Sequence, residues 1–215
     1  MNKKVSAMKH KTKSLIVALC FCINYAFAQT FTDIFDSAST ITYLGIDYTH
    51  VKIFGEKDNE VIDIVDRQFN NINQLVLTES SKYNLKKTFK KNNLPNDLSF
   101  VTERNKTIDT TTVAPGDIVS IFHLTVNDIH NIVRHYNFGG KTGIGFLFIM
   151  ESMSKLDERG TVYCTFIDMA SKKVLFTKRL TEKAGGFGLR NYWARPIYEA
   201  IDDMGNKDFD LWVRK

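Results

Sequence analysis

Two stretches carry residue types that could do chemistry. Gly185, Gly186, Phe187 and Gly188 precede a C-terminal helical segment, with Arg190 and Arg195 close behind. Free backbone N–H groups in a glycine turn, a helix N-terminus and nearby guanidinium groups all favour negative charge, so this loop is a candidate anion site. A conformational account competes with it, in which the glycines let the chain turn steeply off a preceding strand. Asp47 is the second candidate. It lies among apolar residues between Leu44 and Val51, where a carboxylate is costly unless paired or hydrogen-bonded.

Other chemistry has less support. Gly140, Lys141 and Thr142 resemble the end of a phosphate-binding P-loop, but that motif needs a glycine where His135 stands and a helix where a strand follows. His130 and His135 do not share a helical face, and His50 and His123 lie far apart in sequence. With a lone strand cysteine, Cys164, there is no metal signature, so no metal and no cofactor is expected. Cys164 sits in an apolar strand and reads as a small buried residue rather than a nucleophile. Asp168 precedes a turn, which it can cap. No pair of carboxylates stands out for glycoside chemistry, and no catalytic residues are assigned. Asn105 to Thr107 is a glycosylation sequon only in a eukaryotic secretory pathway.

The N-terminus bears on the compartment. Lys3, Lys4, Lys9, Lys11 and Lys13 precede an apolar run from Leu15 to Ile23 that ends in Ala26, Phe27 and Ala28. This is the layout of a secretory signal peptide, with cleavage expected after Ala28 and Met8 as an alternative start. The run falls short of the roughly 20 residues that span a bilayer. Leu19 before Cys20 and Phe21 before Cys22 do not suit lipidation. The expected mature chain, 29–215, is a single globular α/β domain in the periplasm or outside a bacterial cell. Its charge is balanced: 29 basic residues less five in the leader leaves 24, against 24 acidic. The basic balance of the precursor therefore gives no argument for nucleic acid. Local runs such as Lys82, Lys86, Lys87, Lys90 and Lys91 read as a solvated helix face. Only Cys164 remains in the mature chain, so no intrachain disulfide can form.

The elements that must position these residues follow from periodicity. Gly143 to Ser152, Thr161 to Asp168 and Lys173 to Leu180 are short, rich in aromatic and β-branched residues, and bounded by turn signals. They predict a three-stranded antiparallel meander, apolar on both faces and hence covered on both. Phe31 to Ala38 reads as a lead-in with a helical turn, and Ile41 to Phe54 as one long strand. Val61, Val65, Phe69, Ile72 and Val76 are spaced for an amphipathic helix from Asp58 to Thr78. A more polar helix from Lys82 to Asn92, a strand from Leu98 to Glu103, a loop from Arg104 to Gly116 and a strand from Asp117 to Leu124 come next. Thr125 can cap a helix carrying Ile129, Ile132, Val133 and Tyr136 on one face and ending before Gly139 and Gly140. The last helix, Asn191 to Met204, is expected to start near Pro196, since proline suits a first turn. Asp208 to Val213 reads as an edge strand. The fold class is α/β, with α+β as a variant: a mixed, mainly antiparallel sheet with a C-terminal meander under two to four helices.

The hairpin Tyr163 to Lys178, with Asp168, Ser171, Lys173, Val174, Leu175 and Phe176 in order, resembles that of exported bacterial domains of the curli-secretion-lipoprotein and TolB amino-terminal-like group. The likeness spans about residues 117–203. It implies an envelope α/β domain acting as an assembly or activator module, although this chain lacks the group's lipobox. The chain also resembles small exported proteins of gut-type bacteria.

Phe187, Tyr192, Trp193, Tyr198 and Trp212 crowd the C-terminal part beside Arg190 and Arg195. Arginine and aromatic residues are enriched in binding hot spots, though the same residues at helical spacing also build cores. The leading functional expectation is a non-enzymatic module that binds a protein or envelope component through Gly185, Gly186, Gly188, Arg190, Trp193 and Arg195. Peripheral association with a membrane surface stays open. The alternative is a small-molecule-binding or hydrolytic domain with its site at the glycine loop and Asp47.

Overall fold

In the computed structural model, which describes residues 28–114 and 122–212, the first strand is β1 (Ile41–Asp47) and a short β2 (Lys52–Phe54) follows. The leader lies outside the described residues apart from Ala28, as does most of the strand expected from Asp117. The single strand expected over Ile41 to Phe54 is broken by its own aspartate. Asp47 Oδ1 accepts from the Thr49 N–H (2.8 Å) and hydroxyl (2.6 Å), a local turn that competes with the strand ladder.

The amphipathic stripe from Asp58 to Thr78 forms a continuous helical run: α1 (Asp58–Asp63), a π turn (Ile64–Gln68) and α2 (Phe69–Thr78). It buries Val61, Ile64, Phe69, Ile72 and Val76. The next helix is much shorter than its sequence pattern. α3 spans Leu85–Thr88, and Lys90 beyond it takes a left-handed φ of 52°. Lys91 is buried, not solvated. Its ammonium donates to Ser39 Oγ (2.9 Å) and the Asp36 carbonyl, which ties down the lead-in and its 3-10 turn, Thr32–Ile34.

Where a strand is expected at Leu98 to Glu103 the chain is helical, as α4 (Ser99–Asn105), and α5 (Thr110–Val113) occupies part of the expected loop. α4 lies against β1 at Gly45. A Cβ there would come within 2.6 Å of Val101 Cγ2 and 2.8 Å of Asn73 Oδ1, so only glycine allows this approach. α6 (Val126–Arg134) starts as its cap predicts: Thr125 Oγ1 accepts the Asp128 N–H, and Asp128 Oδ2 accepts the Thr125 N–H at 2.8 Å.

The meander forms as β3 (Ile144–Ser154), β4 (Arg159–Asp168) and β5 (Lys173–Lys183). β1 and β2 both add to β3 in parallel, giving a five-stranded mixed sheet ordered β1-β3-β4-β5 with β2 also on β3. Both faces of β3 and β4 are buried, Phe146, Phe148 and Met150 on one and Leu147 and Ile149 on the other. The helical cover is cut into more and shorter pieces than periodicity suggests.

The outer side of β1 is closed by two asparagine side chains and by a backbone bridge. Asn73 accepts from the Ile46 N–H (2.7 Å) and donates to the Ile46 carbonyl (3.1 Å). Asn105 accepts from the Tyr48 N–H and donates to the same Ile46 carbonyl (both 2.9 Å). Tyr43 exchanges bonds with Pro95 and Asp97. A bare edge ladder would invite pairing with other chains, and these amides occupy it.

α7 (Leu189–Asp203) starts well before Pro196, which is therefore interior. Proline cannot donate to the carbonyl four residues back. That carbonyl, on Tyr192, accepts the Gly185 N–H instead (3.1 Å). After a second π turn (Met204–Asp208) the last described residues form α8 (Phe209–Trp212) where an edge strand is expected, Val213 lying outside the described residues. Phe209 and Trp212, three apart, meet Phe89 (5.6 Å) and Phe176 (4.6 Å) ring to ring, a spacing that suits a helix.

Candidate functional site

The glycine loop and the start of α7 form one end of the molecule. Gly185, Gly186 and Gly188 all have positive φ. The loop is held at its base: the Ala184 N–H bonds the Glu158 carbonyl (2.7 Å), Gly185 N–H bonds Tyr192, and Asn191 Nδ2 donates to the Phe187 carbonyl (3.2 Å). Gly185 thus spends its amide inside the protein rather than on an anion. Phe187 projects from this fixed loop with 96% of its surface exposed. On the adjoining β3–β4 turn, Leu156 is 66% exposed, and the Lys155 ammonium lies over the Tyr192 ring.

Arg190 and Arg195 are exposed. Arg190 bonds Asn191 (3.2 Å) and Arg195 pairs with Glu199 (3.0 Å). Trp193, grouped with them in the sequence reading, is at 0% exposure and belongs to the core. Its indole N–H donates to Glu56 Oε1 at 2.9 Å. Burial, then a carboxyl–carboxyl hydrogen bond with Glu60, raises the Glu56 pKa above the usual glutamate range. Glu60 is lowered, first by the Lys57 N–H.

Asp47 is not part of this end. It is fully buried, and Arg104 Nε (3.0 Å), the Tyr136 hydroxyl (2.6 Å) and Thr49 satisfy both of its oxygens. Arg104 also donates through Nη2 to Thr49 Oγ1 (3.1 Å) and lies over the Tyr136 ring (4.5 Å). Burial, then the neighbouring Asp47 charge, pushes the Tyr136 phenol well above its ordinary pKa, so it stays a donor.

A second buried carboxylate went unread. Glu151, in β3, takes a forked bond from Arg179 (2.6 and 3.2 Å) and further bonds from His123 (3.1 Å) and the Leu124 N–H (3.0 Å). Its signal was available in principle, as a lone acid in an apolar strand like Asp47. Both carboxylates are saturated by protein groups. Among the described residues no three His, Cys, Asp or Glu side chains are grouped to hold a metal, and no helix is long and apolar enough to cross a membrane.

No family model and no curated protein matches the sequence. The solved structures similar to it include two bacterial proteins. The C-terminal domain of LpoB from Salmonella enterica superposes with a TM-score of 0.30 and 8% identity, covering 68% of this chain and 84% of that one. Lipoprotein GNA1162 from Neisseria meningitidis gives 0.31 and 9%, covering 79% and 98%. Likenesses this slight leave function to be read from the chain's own residues.

Proposed function

We propose that this protein is an exported, non-enzymatic binding module of the bacterial envelope or exterior, and that it engages a protein partner where the Phe187 loop meets the β3–β4 turn and α7. The observation that carries the reading is Phe187, 96% exposed on a loop whose base is fixed by three hydrogen bonds. An exposed aromatic ring on a fixed backbone gains by burial in a partner without the cost of ordering the loop, which is the profile of an interface anchor. Leu156, Arg190 and Arg195 add apolar contact and hydrogen-bond donors around it. Trp193 supports this surface from beneath. The basic, then apolar, then small-residue leader favours export, and the balanced charge of residues 29–215 favours a protein over a polyanion.

The test is crosslinked co-purification of the tagged full chain from its native host, beside Phe187→Ser and Arg195→Glu variants. A stoichiometric protein that is lost from both variants, at unchanged thermal midpoint, is the expected result. If it survives both substitutions, the surface is misassigned. Recovery of the chain alone would count against the module itself.

A further inference from the structure

We propose that the cleft beside α4 binds a small organic carboxylate with an apolar or aromatic body. This site is separate from the Phe187 surface and does not depend on it. The cleft encloses about 490 Å³ between α4 and residues 135–137 after α6, a size typical of small-molecule sites.

Its floor is Arg104. The guanidinium lies 4.5 Å above the Tyr136 ring centre, with Nε on Asp47 and Nη2 on Thr49. Asp47 is locked in turn by the Tyr136 hydroxyl and Thr49. The guanidinium is therefore oriented before anything binds, with 19% of the side chain exposed. Asp47, Thr49 and the Tyr136 hydroxyl engage at most three of the five N–H groups a guanidinium carries. A planar fork with unused N–H groups matches a carboxylate, and fixing it in advance removes part of the ordering cost.

Asn137 lines the same cleft. Its Oδ1 accepts from the Gly139 N–H (3.1 Å), which leaves Nδ2 to donate to a ligand. Phe100 gives an apolar wall. Asp47 offsets the charge of Arg104, and Glu103 on the rim is paired with Lys106 (2.6 Å), so recognition rests on hydrogen-bond geometry more than on attraction. The apolar wall favours an organic carboxylate over phosphate. Asp47, fully buried, cannot touch the ligand and is a positioning residue.

The experiment titrates the isotope-labelled full chain with phenylacetate, 2-phenylethanol and inorganic phosphate, following backbone amides by NMR. Phenylacetate should give saturable shifts confined to residues 99–107 and 135–137, and the other two should give none at equal concentration. Arg104→Lys should weaken phenylacetate by about tenfold or more, the equivalent of one good hydrogen bond. Asn137→Asp keeps the acceptor for Gly139 but replaces the donor with a charge, and should weaken binding by a similar factor. If Arg104→Lys fails to fold, Asn137→Asp decides alone. No saturable response, an equal response to phenylethanol or phosphate, or unchanged affinity in Asn137→Asp overturns the proposal.

Discussion

Pro196 of α7 rests on Gly160 of β4 so closely that a Cβ on the glycine would come within 2.8 Å of the proline Cβ and Cγ. The helix is seated on the sheet through this contact and leads into the Phe187 loop. Gly160→Ala must lift α7 or bend β4, and overpacking of this kind costs about 1–3 kcal/mol. Urea denaturation of the variant checks it. A change within about 0.5 kcal/mol, typical of surface sites, would show that the contact relaxes freely.

Arg104 and Asp47 should respond unequally to mutation. Arg104→Ala strands a fully buried carboxylate, for which about 3–5 kcal/mol is the expected loss. Asp47→Asn removes the charge and keeps one acceptor oxygen, enough for Thr49 on one side or for Tyr136 on the other but not both, so about 1–3 kcal/mol is expected. Chemical denaturation of both variants gives the comparison, and the account of this pair is wrong if Arg104→Ala is the milder.

Glu56 gives a pH dependence with a definite sign. Burial raises its folded pKa above the unfolded value, so the folded state holds the proton more tightly. The stability it contributes is complete below the unfolded glutamate pKa and is lost as pH rises through the folded one. Glu56→Gln keeps an acceptor for the Trp193 indole and a donor for Glu60. Urea midpoints should therefore decline for the wild type, relative to Glu56→Gln, as pH climbs just above the usual carboxylate range. Parallel curves for the two proteins would remove Glu56 as the cause. Glu60, lowered, has the opposite sign.

Phe187 and Trp193, six positions apart, should separate surface from core. Trp193→Ala empties a fully buried site and should cost about 3–5 kcal/mol. Phe187→Ala should stay within about 0.5 kcal/mol, because the ring touches little but water. Thermal melts of both variants, read beside the co-purification, show whether a lost partner reflects a lost surface or a lost fold.

What could be read from sequence was whatever depended on local period. The meander declared itself by strands apolar on both faces, the helical run from Asp58 by its stripe, and α6 by the Thr125 cap. Failures came where a distant group changed the local choice. Ser99 to Thr102 have strand-like residues, yet Leu98 and Val101, three apart, bury against β1 as a helix. Pro196 should have marked a helix start, but the Gly185 amide satisfies the carbonyl it frees. Lys91 looked like its solvated neighbours until the lead-in carbonyl of Asp36 claimed it. Asp47 stands out in sequence because a carboxylate in an apolar run needs a partner, but nothing local names Arg104, 57 positions away. Phe187 could not be told from a core aromatic, since exposure is decided by where the loop points.

The two asparagines along β1 also decide how far copies of this chain can be strung together. A growing ribbon needs two complementary sides on every unit, one to receive and one to offer. Here the Ile46 and Tyr48 backbone groups are already taken by Asn73 and Asn105, and among the described residues β5 alone ends the strand order on the opposite side. Strand exchange through β5 would join two molecules and leave neither with a long side to continue. Among the described residues, then, self-association by this route would stop at a pair and not run on into a fibre.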